Sequence, residues 1–223
     1  MIVDERMSCF IQSLDTGNAP YLEDIYREAV KDGVPVIRRE TQMFLRTFLG
    51  MMRPERILEV GTAVGFSTLL FCEYSSPGSH ITTIENYEPR ISRAVRNFKI
   101  SGKEEQITLL CGDASDILGT LKGSFDLIFM DAAKAQYVTW LPDVLRLLTD
   151  GGVLLSDNVL QEGDIIESHF LVERRQRTIY KRMREYLFKI THDPLLTTTV
   201  LPVGDGLSIS VKRVQDLTKQ RNR

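Results

Sequence analysis

The chain has 223 residues, 43% hydrophobic and 26% charged, which is enough for one substantial core and sits in the range of a single globular domain. A formal net charge of -2 excludes any global electrostatic reason to bind nucleic acid or a membrane surface, so such a partner must be met by a local patch. No apolar stretch approaches the roughly 20 residues of a membrane span, and MIVDERMSCF is acidic where a secretory leader is basic and then greasy, so a soluble, cytoplasmic protein is expected.

Residues 1–55 read as helical. YLEDIYREAV and TQMFLRTFLGMM carry apolar side chains at helical spacing, KDGVPV breaks them apart, and Arg53-Pro54 stops the second. The texture then changes to short apolar runs between helical stretches: RILEVG, HITTIE, ITLLCGD, FDLIFMD and GGVLLSDN. Such unbroken runs predict strands covered on both faces, as in a doubly wound parallel α/β sheet over residues 56–213. TTTVLPVGDGLSISVKR adds two β-rich runs around Gly204-Asp205-Gly206, a hairpin signal that predicts an antiparallel pair at one edge. One domain over residues 1–223 follows. Cys9, Cys72 and Cys111 form an odd set without C-x-x-C pairing, which argues against a disulfide framework, and the apolar runs around Cys72 and Cys111 predict small buried residues.

Five successive strands end on polar residues: Glu59 with Gly61, Glu85, Asp113, Asp131, and Asp157 with Asn158. Ligands of open α/β sheets bind outside the carboxyl ends of the strands, so these acids predict a site on that rim. The turn EVGTAVGFS lacks the G-x-G-x-x-G of dinucleotide enzymes, and Glu59 suits a sulfonium and an amino group better than a pyrophosphate. Glu85, 24 positions after Gly61, stands where an acid would grip ribose hydroxyls, and Gly112-Asp113-Ala114 where an adenine would lie. Asp131, Asp157 and Asn158 offer hard oxygen ligands suited to magnesium, although an Asp-Asn pair alone is also a turn or a helix cap. Lys134 follows Asp131 by three residues and faces the same rim; amines beside a divalent cation lose a proton more readily, which suits a general base. Tyr137 and Trp140 are equally placed for pocket or core, and His80, His169 and His192 show no metal-ligand spacing.

EVGTAVGFSTL, TIE, GDA, MDAAKAQY and LLSDNVL together resemble the metal-dependent catechol and caffeoyl-CoA type O-methyltransferases, from about residue 35 to the end. The resemblance implies a Rossmann-like class I methyltransferase fold with a seven-stranded, mostly parallel sheet, helices on both faces and an antiparallel C-terminal hairpin. It implies S-adenosylmethionine held by Ile37, Glu59, Gly61, Thr62, Ser67, Glu85, Asp113, Ala114 and Asp131. Mg2+ or another divalent ion would be held by Asp131, Asp157 and Asn158, with Lys134 as base. The C-terminal portion, VERRQRTIYKRMREYL and HDPLLTTTVLPVGDGLSISVKR, looks most like the bacterial tRNA 5-hydroxyuridine methyltransferases. That implies a tRNA anticodon loop as partner, with the wobble 5-hydroxyuridine converted to 5-methoxyuridine.

Charge patterning supports such a partner. Residues 173–189 hold seven basic residues against two acids, and Arg174, Arg177, Lys181 and Arg184 fall on one helical stripe opposite Ile179, Met183, Tyr186, Leu187 and Ile190. Arg174, Arg175, Arg177 and Lys181 are therefore the candidate substrate contacts. An ordinary solvated helix face explains the same pattern. A small catechol or phenylpropanoid-type phenol is the alternative acceptor. An NAD-dependent oxidoreductase and a non-catalytic adenosine-binding module are more distant readings, since one lacks its glycine fingerprint and the other leaves Asp131, Lys134, Asp157 and Asn158 idle. The N-terminal helices are expected either to cover the site or to pack a homodimer.

Overall fold

The computed structural model describes residues 3–214 apart from 169 and 171, so His169 lies outside the described residues. Three helices come first: α1 (Glu5–Ser13), capped by the Asp4 side chain, α2 (Pro20–Lys31), which starts on a proline, and α3 (Arg39–Met52). Arg53 ends α3 in the left-handed region at φ 50°, and Pro54 prevents continuation. An alternating series follows: β1 (Arg56–Val60), α4 (Phe66–Tyr74), β2 (His80–Glu85), α5 (Glu88–Ser101), β3 (Ile107–Cys111) and α6 (Ala114–Thr120). It continues with β4 (Phe125–Met130), α7 (Tyr137–Leu147), β5 (Leu148–Ser156), α8 (Arg177–His192), β6 (Leu196–Leu201) and β7 (Leu207–Lys212). None of the described helices is long and apolar enough to cross a membrane.

The strands form one seven-stranded sheet in the order β3-β2-β1-β4-β5-β7-β6. The first five run parallel, and β7 lies antiparallel between β5 and β6, as the hairpin signal predicts. Order reverses between β1 and β4, which opens a crevice at their carboxyl ends.

Alternation along the strands feeds two cores. Leu58, Val60, Ile128, Met130 and Leu154 face α6, α7 and α8, where Trp140, Met183 and Tyr186 pack against them. Ile57, Leu127, Phe129 and Leu155 face the other way, toward Leu22, Leu45, Leu49 and Phe71 of α2, α3 and α4.

Two expectations are corrected. Cys111 is exposed, because β3 is the sheet edge; Cys72, on α4 between sheet and helices, is buried as expected. The basic helix begins only at Arg177, so Arg174 and Arg175 lie in the turn before it and off the helical stripe. Phe129 is fully buried, edge-on to Phe71 at 5.4 Å between ring centroids. Phe129→Ala leaves a cavity between the sheet and α4 and is expected to lower the unfolding free energy by about 3–5 kcal/mol, as read by urea denaturation.

Candidate active site

The carboxyl ends of β1, β2 and β4 and the loop after β3 enclose a cavity of about 650 Å³. Gly61, just past β1, sits at φ +107°, and a Cβ there would lie 2.1 Å from the carbonyl oxygen of Asp131. Only a residue without a side chain lets the ends of β1 and β4 approach so closely. Gly65, which opens α4 at φ +82°, is similarly pressed against the Phe98 ring.

Glu85 is fixed by three backbone donors. Its Oε2 accepts the Ala63 N–H at 2.9 Å, and its Oε1 accepts those of Asn86 and Tyr87 at 3.0 Å each. Asp113 caps α6 by accepting the Ser115 N–H at 2.8 Å. The Ser115 hydroxyl accepts the Trp140 indole N–H at 3.0 Å, which places Trp140 on the cavity wall. Ile37 reaches the wall from the connection between α2 and α3, its carbonyl accepting the Gln42 amide at 2.8 Å. Ile37, Gly61, Thr62, Ser67, Glu85, Asp113, Ala114 and Asp131 all line this one cavity. Arg90 also lines it, and nothing in the sequence pattern singled that residue out.

Glu59 does not line the wall. It shares the Ile57 face of β1, is fully buried, and accepts hydrogen bonds from the hydroxyls of Ser67, Thr68 and Thr83. Thr83 is in turn 2.6 Å from the Thr62 hydroxyl. Glu59 thus supports the loop from beneath. Burial pushes its carboxyl up to about 7, against the three hydroxyls that favour the charged form.

Across the reversal, parallel pairing sets Met130 beside Ser156, so the next residues, Asp131 and Asp157, leave the sheet side by side. The Asp157 N–H donates to the Met130 carbonyl at 2.9 Å. Asn158, left-handed at φ 61°, turns its amide back to donate to Asp131 Oδ1 at 3.0 Å, while its own N–H donates to Asp157 Oδ1 at 2.8 Å. Asp131 and Asn158 face the cavity, with Asp157 almost fully buried behind them. Burial pushes both carboxyls up. For Asp157 the neighbouring Asp131 charge pushes in the same direction, and Lys134 opposes the rise in both.

Among the described residues no three His, Cys, Asp or Glu side chains converge on a point. The set here is two carboxylates and a carboxamide, whose oxygen and nitrogen exchange places by a half-turn of the amide. Two adjacent carboxylates and a carboxamide oxygen of this kind fit a hard divalent cation. Lys134 begins a short 3-10 turn (Lys134–Gln136) on the same wall, and Arg182 holds that turn from α8 by donating to the Ala135 carbonyl at 3.0 Å.

Over residues 12–213 the chain matches the O-methyltransferase family. The chain belongs to that family. It is an S-adenosylmethionine-dependent O-methyltransferase. A catechol O-methyltransferase of Mycobacterium tuberculosis is 30% identical over 216 residues, covering 93% of this chain and 95% of that one. Caffeoyl-CoA O-methyltransferase 2 of Populus trichocarpa is 27% identical over 183 residues, covering 74% and 70%. The solved S-adenosylhomocysteine-bound methyltransferase PaMTH1 of Podospora anserina superposes with a TM-score of 0.85 at 26% identity, over 95% of this chain and 97% of that one.

In this O-methyltransferase Tyr137 is a buttress rather than a pocket residue. It is fully buried, and its hydroxyl lies 2.9 Å from the Met130 carbonyl and 3.3 Å from that of Asp157 while accepting the Ala132 N–H at 3.2 Å. The candidate substrate cations do not line the cavity. Arg177 spends its guanidinium on the Val172 and Phe170 carbonyls, and Arg175 pairs with Glu173; Arg174 and Lys181 are exposed. Arg184 likewise donates to the Ile165 carbonyl, so the stripe pins a loop more than it presents a continuous cationic ridge. Asp205, read from sequence as a turn residue, proves to be 3% exposed with its Oδ2 3.6 Å from Lys134 Nζ.

Glu59 supplies a pH-dependent stability. Its folded value of about 7 stands above the ordinary 4.5, so between those limits the native state keeps a proton that the unfolded chain releases. Stability is therefore lost as pH rises through that window, by roughly 3 kcal/mol in all. Glu59→Gln has no proton to lose. Urea unfolding without cofactor is expected to show wild type falling behind this variant by about that amount between pH 4.5 and 8; a pH-independent gap would refute the assignment.

Proposed function

We propose that this protein methylates a hydroxyl flanked by a second oxygen, with a divalent cation, magnesium, held by Asp131, Asp157 and Asn158. The observation that carries this is that Asp131 and Asn158, bonded to each other and backed by the buried Asp157, stand beside Lys134 on the wall that also holds Glu85 and Asp113. When bound, the cation supplies Lewis acidity and aim to the acceptor oxygens, and S-adenosylmethionine supplies an electrophilic methyl.

The remaining work belongs to the chain. Glu85, immobilised by three N–H groups, offers its free lone pairs to the ribose hydroxyls, and Asp113 with Ala114 borders the adenine. Gly61 and Thr62 let the amino-acid part approach the backbone. Lys134 receives the acceptor's hydroxyl proton at Nζ. Because the Gly61 loop touches the Asp131 backbone, donor and acceptor sides are held in one rigid frame, the condition under which proximity lowers the barrier most.

The acceptor we assign is 5-hydroxyuridine at the tRNA wobble position, whose 5-hydroxyl and O4 are neighbours. The resemblance of the C-terminal portion supports it, as do the exposed Arg174 and Lys181 around the start of α8, a helix that packs on the Lys134 turn. A base in a single-stranded loop enters a pocket at little unpairing cost, which reconciles an RNA substrate with a pI of 6.0. A small catechol is the second reading, favoured by the name of the Mycobacterium tuberculosis relative.

Methyl transfer to bulk tRNA from cells lacking the gene, compared with catechol and each run with and without magnesium, separates the two. Magnesium-dependent 5-methoxyuridine in the nucleoside mass spectrum is expected; transfer to catechol alone would reassign the acceptor. Asp157→Ala is expected to cut turnover by about 100-fold or more while leaving S-adenosylhomocysteine affinity within about twofold. Full turnover after chelation would remove the metal from the scheme.

A further inference from the structure

The turn joining β6 and β7 is wedged against the active-site rim. Gly206 sits at φ +87°, and a Cβ there would lie 2.3 Å from Leu160 Cγ. The Asp205 carbonyl accepts the Leu160 N–H at 3.1 Å and that of Gly206 accepts the Val159 N–H at 3.0 Å. The turn is therefore fastened to the segment just beyond Asp157 and Asn158. Its only acidic side chain, Asp205, is buried, with Oδ1 taken by the Glu162 N–H and Oδ2 3.6 Å from Lys134 Nζ.

A lysine at this rim has four rotatable bonds and two other carboxylates, the half-buried Asp131 and the buried Asp157, to attract it. Left alone, its ammonium would swing onto the pair and fill the space between them. We infer that Asp205 is a positioning residue for Lys134: its carboxylate holds the ammonium off the Asp131–Asp157 pair, so that once the ammonium has given a proton to solvent the free amine stands at the cavity wall, ready to take the acceptor's hydroxyl proton. The wedge makes this possible, because an anchor on a fixed turn costs the lysine side chain one restriction rather than two. The inference rests on the proposed role of Lys134 as base.

Asp205→Asn keeps an acceptor for the Glu162 N–H and removes the charge that holds the amine. Steady-state kinetics are expected to show kcat down by about tenfold or more, with KM for S-adenosylmethionine and the dissociation constant of S-adenosylhomocysteine unchanged. In the double variant with Lys134→Met, the loss is expected to equal that of Lys134→Met alone, since the anchor then has nothing to hold. Multiplied losses, or weaker S-adenosylhomocysteine binding in parallel with kcat, would make Asp205 a general structural residue and overturn the inference. Full turnover in Asp205→Asn with loss in Lys134→Met overturns it while leaving the base in place; full turnover in Lys134→Met removes the base itself.

Discussion

Two carboxylates, Asp131 and Asp157, stand side by side at the ends of adjacent parallel strands, Asp157 buried and Asp131 half-buried on the cavity wall. Like charges so placed are costly, and folding tolerates them only where geometry and a counter-charge are provided. Much of the rim is arranged to that end. The β4–β5 register sets their separation, Asn158 adopts a left-handed backbone to bond with both, and Tyr137 sits under both strand ends. Lys134 brings the compensating charge within reach.

The same constraint reaches the donor side through Gly61. Its missing side chain is where the Asp131 carbonyl lies, so the loop after β1 and the acid that follows β4 are in van der Waals contact. Glu59, below that loop, converts three hydroxyls into a support for it. Those hydroxyls offset only part of the cost of burying that acid, and it lines no part of the cavity.

The strands were legible because each is an apolar run bounded by glycine or acid, and the acids just past their ends had one rim to share. Glu85, Asp113, Asp131, Asn158 and Lys134 do share one cavity wall, with Asp157 behind it. Glu59 does not join them: it lies one residue inside β1 and so follows the inward parity of Ile57. Asp205 escaped because Gly-Asp-Gly is fully accounted for by turn chemistry. Its approach to Lys134 arises from β7 inserting between β5 and β6, a spatial order that periodicity does not encode. Cys111 was misread for a related reason: edge and interior strands share the same residue types. The arginine stripe failed because the helix starts three residues late, without a side-chain cap at Gln176 to mark it.

The reversal of strand order also divides the molecule by task. β1, β2 and the loop after β3 border the half of the cavity suited to the adenosyl group, whereas β4, β5 and the β6–β7 turn carry the acids and the amine. The two halves meet along a single seam, Gly61 against Asp131. A substitution in the β6–β7 turn can therefore reach Lys134 without touching the residues that β1 and β2 bring to the cavity.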